Sequence, residues 1–148
     1  MDSIVLLCTD GSDVSIEALR GSLPLLAPVD RMIVVTVESP MDPTHTTGRG
    51  FTATSSSEAR IETDGDRIAK DALDRTVAAL GLGEVELVAL VGSAGPAICE
   101  LAASLPASVV VVGTSGKSGL RRAMLGSTSD HVIRHAVCPV LVQGVGQH

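Results

Sequence analysis

Apolar and polar positions alternate along the chain in a way that marks out strands and helices in turn. Ile4-Val5-Leu6-Leu7-Cys8 is a continuous apolar run that reads as a buried strand, ending at Thr9-Asp10-Gly11-Ser12. Ser12 or Asp13 can cap a helix beginning near Val14, with Ile16, Leu19, Leu23 and Leu26 on its apolar face. Gly21 and Pro24 predict a kink or an early end in its second half. Residues 32–37 form a second apolar run and a second strand. Between Glu38 and Ser57 the chain is rich in Pro, Thr, Ser and Gly, has no period, and reads as a long mobile loop. Helical spacing resumes from about Ser57 to Leu80, with Ile61, Ile68, Ala72, Val77 and Leu80 on one face and Gly81 and Gly83 at the end. Residues 85–91 are the third strand. Gly92 to Gly95 turn the chain, and Pro96 suits the first position of a helix carrying Ala97, Ile98, Leu101, Ala102 and Leu105. Pro106 ends it. Residues 109–112, four valines, are the fourth strand; a helix over 127–136 and a short strand over 139–142 complete the pattern.

This alternation predicts one α/β domain over residues 1–148, with a parallel sheet covered by helices on both faces. Ligands in such sheets bind beyond the carboxyl ends of the strands, near a switch in strand order. The turns at Asp10 and Gly113 both lie at carboxyl ends.

Composition agrees and narrows the partners. Hydrophobic residues make up 45% of the 148 positions, yet Phe51 is the sole aromatic, so the core is aliphatic. The aromatic platforms that stack single-stranded nucleic acid are missing. A net charge of -6 is poorly suited to DNA or an anionic membrane. A polyphosphate ligand would have to be held by backbone N–H groups, a helix terminus, a few local cations or a metal. No apolar stretch reaches transmembrane length and the first residues lack a signal-like pattern, so a cytoplasmic protein is expected. Cys8, Cys99 and Cys138 are odd in number, widely spaced and set among apolar residues, which predicts buried reduced thiols.

The candidate chemistry lies after the fourth strand. Gly113-Thr-Ser-Gly116 is followed, nine residues on, by Gly126-Ser127. A strand running into a glycine turn and then a helix presents N–H groups to an anion, and Ser127, Thr128 and Ser129 make the helix start polar. Gly116-Lys117-Ser118 is not a P-loop, because Val111 stands where the first glycine is required. No G-x-G-x-x-G follows the first strand. Lys117, Arg121 and Arg122 either neutralise phosphate or form a solvated surface. Asp10 either binds ribose hydroxyls or a metal, or makes a turn with Ser12. His131 and His135 share a helix face near Cys138, but no Glu follows His131 and a structural role is the plainer reading. No nucleophile, base and acid are arranged for catalysis.

Residues 110–127 and 131–142, with the opening strand and Thr9-Asp10-Gly11-Ser12, resemble the universal stress protein family, and the resemblance covers essentially the whole chain. The motif of glycine, two residues, glycine, nine residues, glycine and Ser or Thr is complete. The resemblance implies a five-stranded, Rossmann-like parallel sheet of order 3-2-1-4-5. It also implies a homodimer through the C-terminal strand, and binding of ATP with Mg2+ in a stress or signalling role. By that resemblance Gly113, Thr114, Ser115, Gly116, Lys117, Ser118 and Gly119 contact ribose and phosphates. Gly126, Ser127, Thr128 and Ser129 form the second phosphate turn. Asp10 lies near the ribose and metal, and Cys8 and Val37 flank the adenine. Ser115 stands where many members carry Arg or His, and Ser108 where an aspartate is common. Two rivals stay open: a slow ATPase or phosphotransferase using Asp10, and an interaction module holding AMP, a cyclic nucleotide or no nucleotide.

Overall fold

The computed structural model describes residues 2–38, 51–53, 64–114 and 125–144. The strands are β1 (Ile4–Cys8), β2 (Arg31–Glu38), β3 (Phe51–Ala53), β4 (Glu86–Val91), β5 (Val109–Gly113) and β6 (Val140–Gln143). The helices are α1 (Asp13–Ser22), α2 (Asp64–Leu80), α3 (Ala94–Ser104) and α4 (Ser127–His135), with a short 3-10 helix at Leu23–Leu25. The sheet order is β3-β4-β2-β1-β5-β6. Its five longer-range partners, β4, β2, β1, β5 and β6, pair in parallel. Numbered among themselves in chain order, they run 3-2-1-4-5, as the resemblance implies.

Period-two alternation within the strands sorts the core into two layers. Ile4, Leu6, Cys8, Ile33, Val35, Val110 and Val112 face α3 and α4, where they meet Ile98, Ala102 and Val132. Val5, Leu7, Val34 and Val111 face the other way, onto Leu19 of α1 and Ala69 and Leu73 of α2. Both faces of the central strands are covered, which is why their sequences are unbroken apolar runs rather than alternating ones.

Several expectations are corrected in detail. Phe51–Ala53 is an edge strand antiparallel to β4, inside the span read as loop; three residues are too few to show a period. The helix expected from Ser57 is described from Asp64 onward. Its buried stripe is Ala69, Ala72, Leu73 and Thr76, and Ile68 is 57% exposed. The true stripe follows the i, i+3, i+4, i+7 spacing and includes a polar residue, which apolar counting passed over. Pro96 is the third residue of α3, after Ala94 and Gly95, with Ser93 as N-cap. The amide it lacks would have had no intrahelical partner there. α1 ends at Ser22, and Pro24 lies in the 3-10 turn that follows.

Candidate functional site

Because the strands are parallel, their carboxyl ends share one rim. Cys8 to Asp10, Val37 to Glu38, Val91 to Gly92 and Gly113 to Thr114 all lie along it. The chain leaves β1 toward β2 on one side and later returns to β5 on the other, so the strand order reverses between β1 and β5. In sheets of this kind ligands bind in the crevice outside the carboxyl ends at such a reversal.

On the β1 side the turn is closed by short hydrogen bonds. Asp10 Oδ1 accepts the Ser12 N–H at 2.9 Å and the Ser12 hydroxyl at 2.5 Å. Ser12 in turn caps α1, its hydroxyl oxygen accepting the Ser15 N–H at 3.2 Å. Of the two sequence readings for Asp10, the turn with Ser12 is therefore present, and it fixes one carboxylate oxygen. Gly11 adopts φ +79°, and a Cβ there would lie 2.7 Å from the Ala72 Cβ. Glycine is required twice over, for backbone conformation and for contact with α2.

On the β5 side the two halves of the glycine motif meet. The Thr114 N–H donates to the Gln143 carbonyl at 3.1 Å, and the Thr114 carbonyl accepts the Gly126 N–H at 2.6 Å. One residue thus joins β5, the edge strand β6 and the start of α4. Gly126, with φ -68° and ψ 162°, is the N-cap of α4, so the helix begins at Ser127 as the pattern predicts. Gly126 has no side chain to cap this end, and among the described residues no side-chain cap bond is made there. The first bond of the helix is Asp130 N–H to the Gly126 carbonyl, 3.0 Å. The amides of Ser127, Thr128 and Ser129 precede it and point out of the helix end, where the dipole favours an anion. Ser129 is buried and its hydroxyl turns back to the Gly126 carbonyl at 3.1 Å, so it shapes the turn. Ser127 is exposed and Thr128 half-buried.

Cys8 and Val37 lie on the α3/α4 side of the rim, Cys8 within that core layer and Val37 packed against it. Burial pushes the Cys8 thiol up to about 12, so it is a neutral apolar wall. Ser115, Gly116, Lys117, Ser118 and Gly119 lie outside the described residues, as do Arg121 and Arg122.

The family model described as the Universal stress protein family matches residues 1–143. The chain belongs to the universal stress protein family. Universal stress protein MJ0531 of Methanocaldococcus jannaschii is 30% identical over 141 residues, covering 93% of this chain and 79% of that relative. Among solved structures, the hypothetical protein MJ0577 superposes with a TM-score of 0.71 at 19% identity, covering 100% of this chain and 99% of that one. A universal stress protein solved in complex with cAMP superposes with a TM-score of 0.62 at 27% identity, covering 98% of each chain.

His131 and His135 stack at 4.1 Å between ring centroids, and His135 Nδ1 meets the His131 carbonyl at 3.0 Å. A Cβ on Gly95 would lie 2.6 Å from the His131 Cβ, so this pair marks close packing of α4 on α3. Among the described residues no group of three or more His, Cys, Asp or Glu is arranged for a metal. The cysteines are free, Cys8 buried and Cys99 and Cys138 half-buried. No described helix is long and apolar enough to cross a membrane. An open groove of about 470 Å³ between α1 and α2, lined by Ile16, Arg20, Arg75 and Ala78 among others, contains none of the predicted site residues.

Two features of the rim were missed in the sequence. Glu38, at the carboxyl end of β2, has Oε2 buried without a hydrogen-bond partner among the described residues. Burial, and secondarily Asp66, hold its carboxyl above the usual range. The signal was an acid directly after an apolar strand, the same placement as Asp10. The other is the set of hydroxyls beneath the Asp10 turn, whose signal was a threonine at a core position of α2.

Proposed function

We propose that this universal stress protein binds ATP, with Mg2+ carried on the phosphates, and acts as a nucleotide-dependent homodimer in stress response or signalling. The observation that carries the reading is the 2.6 Å bond from the Gly126 N–H to the Thr114 carbonyl. It supports treating the glycine motif as one site, in which the first amides of α4 would meet an anion at the strand switch. In this reading Gly113, Thr114 and residues 115–119 take ribose and phosphates, Gly126 to Ser129 take the far phosphates, and Cys8 and Val37 flank the base. Asp10 supplies one carboxylate. A lone carboxylate fits Mg2+, which keeps most of its waters and is usually held by one or two carboxylates together with substrate phosphates.

The homodimer reading rests on β6. It lies at the sheet edge with β5 on one side, all four of its residues are half-buried, and Val137 just before it is 72% exposed. An apolar edge strand invites pairing, and a second copy would close it.

A nucleoside monophosphate is the second reading, favoured by the cAMP complex of the 27% identical structure. Hydrolysis gains no support from the Asp10 turn, since Oδ1 is taken by Ser12. Native mass spectrometry of the purified protein, followed by calorimetric titration with Mg-ATP, AMP and cAMP, decides among these. Saturation by Mg-ATP with a sedimenting dimer is expected. No heat from any nucleotide at millimolar concentration would rule the reading out, and preference for AMP or cAMP would install the second one.

A further inference from the structure

A chain of buried hydroxyls runs from α2 to the main chain of Asp10, and its direction is fixed. Thr76 is fully buried and donates its hydroxyl to the Ala72 carbonyl at 2.8 Å. That uses its single proton, so in the 2.9 Å contact between Thr76 Oγ1 and Thr9 Oγ1 it is Thr9 that donates. Thr9 Oγ1 then accepts the Gly11 N–H at 3.0 Å and the Ser15 hydroxyl at 3.2 Å. Ser15 Oγ, its proton given to Thr9, accepts the Asp10 N–H at 3.2 Å. Every proton points toward α2, and both branches begin at an amide of the β1–α1 turn, Asp10 or Gly11.

The fold alone does not call for this. The neighbours of Thr76 in the buried stripe are Ala69, Ala72 and Leu73, so its hydroxyl is what distinguishes it from a valine of like shape. A fully satisfied polar chain in the interior rigidifies its surroundings and specifies one arrangement. Here the arrangement it specifies is that of Asp10 and Gly11 at the crevice.

We infer that Thr76 is a positioning residue for the nucleotide site: it acts through Thr9 and Ser15 to orient the main chain that presents Asp10. The inference rests on the nucleotide reading above, with Asp10 facing the ribose and metal. Thr76 stands two hydrogen bonds from the turn and on a different helix, so it does not touch the ligand itself.

Thr76→Val keeps the shape and removes the proton and the lone pairs, while Thr76→Ser keeps the hydroxyl. Calorimetric titration of the full chain with Mg-ATP is expected to show roughly tenfold weaker binding for Thr76→Val, the lower end of the effect of removing an outer-shell partner, with recovery in Thr76→Ser. Amide hydrogen exchange read by NMR supplies a readout without nucleotide. The Asp10 and Gly11 amides should lose roughly tenfold protection in Thr76→Val and regain it in Thr76→Ser. Should Thr76→Val fail to fold, Ser15→Ala applies the same two measurements from the other end of the chain. Wild-type affinity in a folded Thr76→Val protein overturns the positioning role alone. A wild-type protein that binds no Mg-ATP overturns the nucleotide reading and the positioning role together.

Discussion

The two ends of this one parallel sheet are closed by different chemistry. At the amino end the links are side chains near the surface. Arg31 forks onto Glu86 at 2.7 and 2.6 Å across β2 and β4. Asp30 accepts the Ser3 N–H at 2.8 Å, and Ser108 Oγ accepts the Ile4 N–H at 3.0 Å. At the carboxyl end the links are buried hydroxyls and glycines pressed against helices. Water can replace a lost partner at the amino end. It cannot enter beneath the Asp10 turn or between Gly95 and His131. The end proposed to bind ligand is therefore also the end with the least tolerance, and substitutions there should cost more than those at the exposed end.

The sharpest test of that contrast is Gly11→Ala. The new Cβ would be held at φ +79° and lie 2.7 and 2.8 Å from the Cβ and Cα of Ala72. Left-handed backbone and overpacking together should destabilise by about 3 kcal/mol, and lower the melting temperature by roughly 10 °C. A loss under about 1 kcal/mol in urea unfolding would show that α2 yields easily, and the contrast would fail at its strongest point.

Gly95→Ala comes next. Its backbone is helical, so alanine gains propensity while its Cβ meets the His131 Cβ at 2.6 Å. A net loss of about 1–2 kcal/mol is expected from overpacking less the helix gain. Adding His131→Ala should not restore stability, because the nearest atom is the Cβ that alanine keeps. Full rescue by that second substitution would mean that the ring, and not the approach of the helices, sets the contact.

How much of this was legible follows the same division. The strands, the aliphatic core and the alternation were readable because burial on both faces writes continuous apolar runs into β1, β2 and β5. Of the glycine motif, the described ends Gly113 and Gly126 are drawn together through Thr114, whose carbonyl accepts the Gly126 N–H. The Thr9–Ser15–Thr76 chain was not readable, since it joins residues up to 67 positions apart and each looks like an ordinary turn or helix residue alone. Ser108 is a similar case. As a departure from the common aspartate it carried no structural meaning in the sequence, yet it closes the amino end of β1 through Ile4. The bond that ties the Gly126 N-cap of α4 to Thr114 is a further case, since it spans from β5 across the glycine motif.

The smallest effect is expected at Glu86, and its pH dependence separates the two ends most cleanly. The hydrogen-bonded Arg31 guanidinium holds the Glu86 carboxyl below the usual carboxylate range, against a smaller opposing effect of burial. A carboxyl whose folded value is depressed stabilises the fold above its unfolded value, near pH 4.3, and that contribution is lost as pH falls through the folded value. The side chains of Arg31 and Glu86 are 38% and 43% exposed, so solvent screens the pair. Glu86→Gln should cost well under ~1 kcal/mol at pH 7, and the gap to wild type should be smaller at about pH 3. Urea unfolding at the two pH values measures both numbers. A gap that stayed constant would mean that Glu86 contributes through packing rather than charge. A gap above about 2 kcal/mol would make the amino end as intolerant as the carboxyl end, since exposed pairs rarely reach that size.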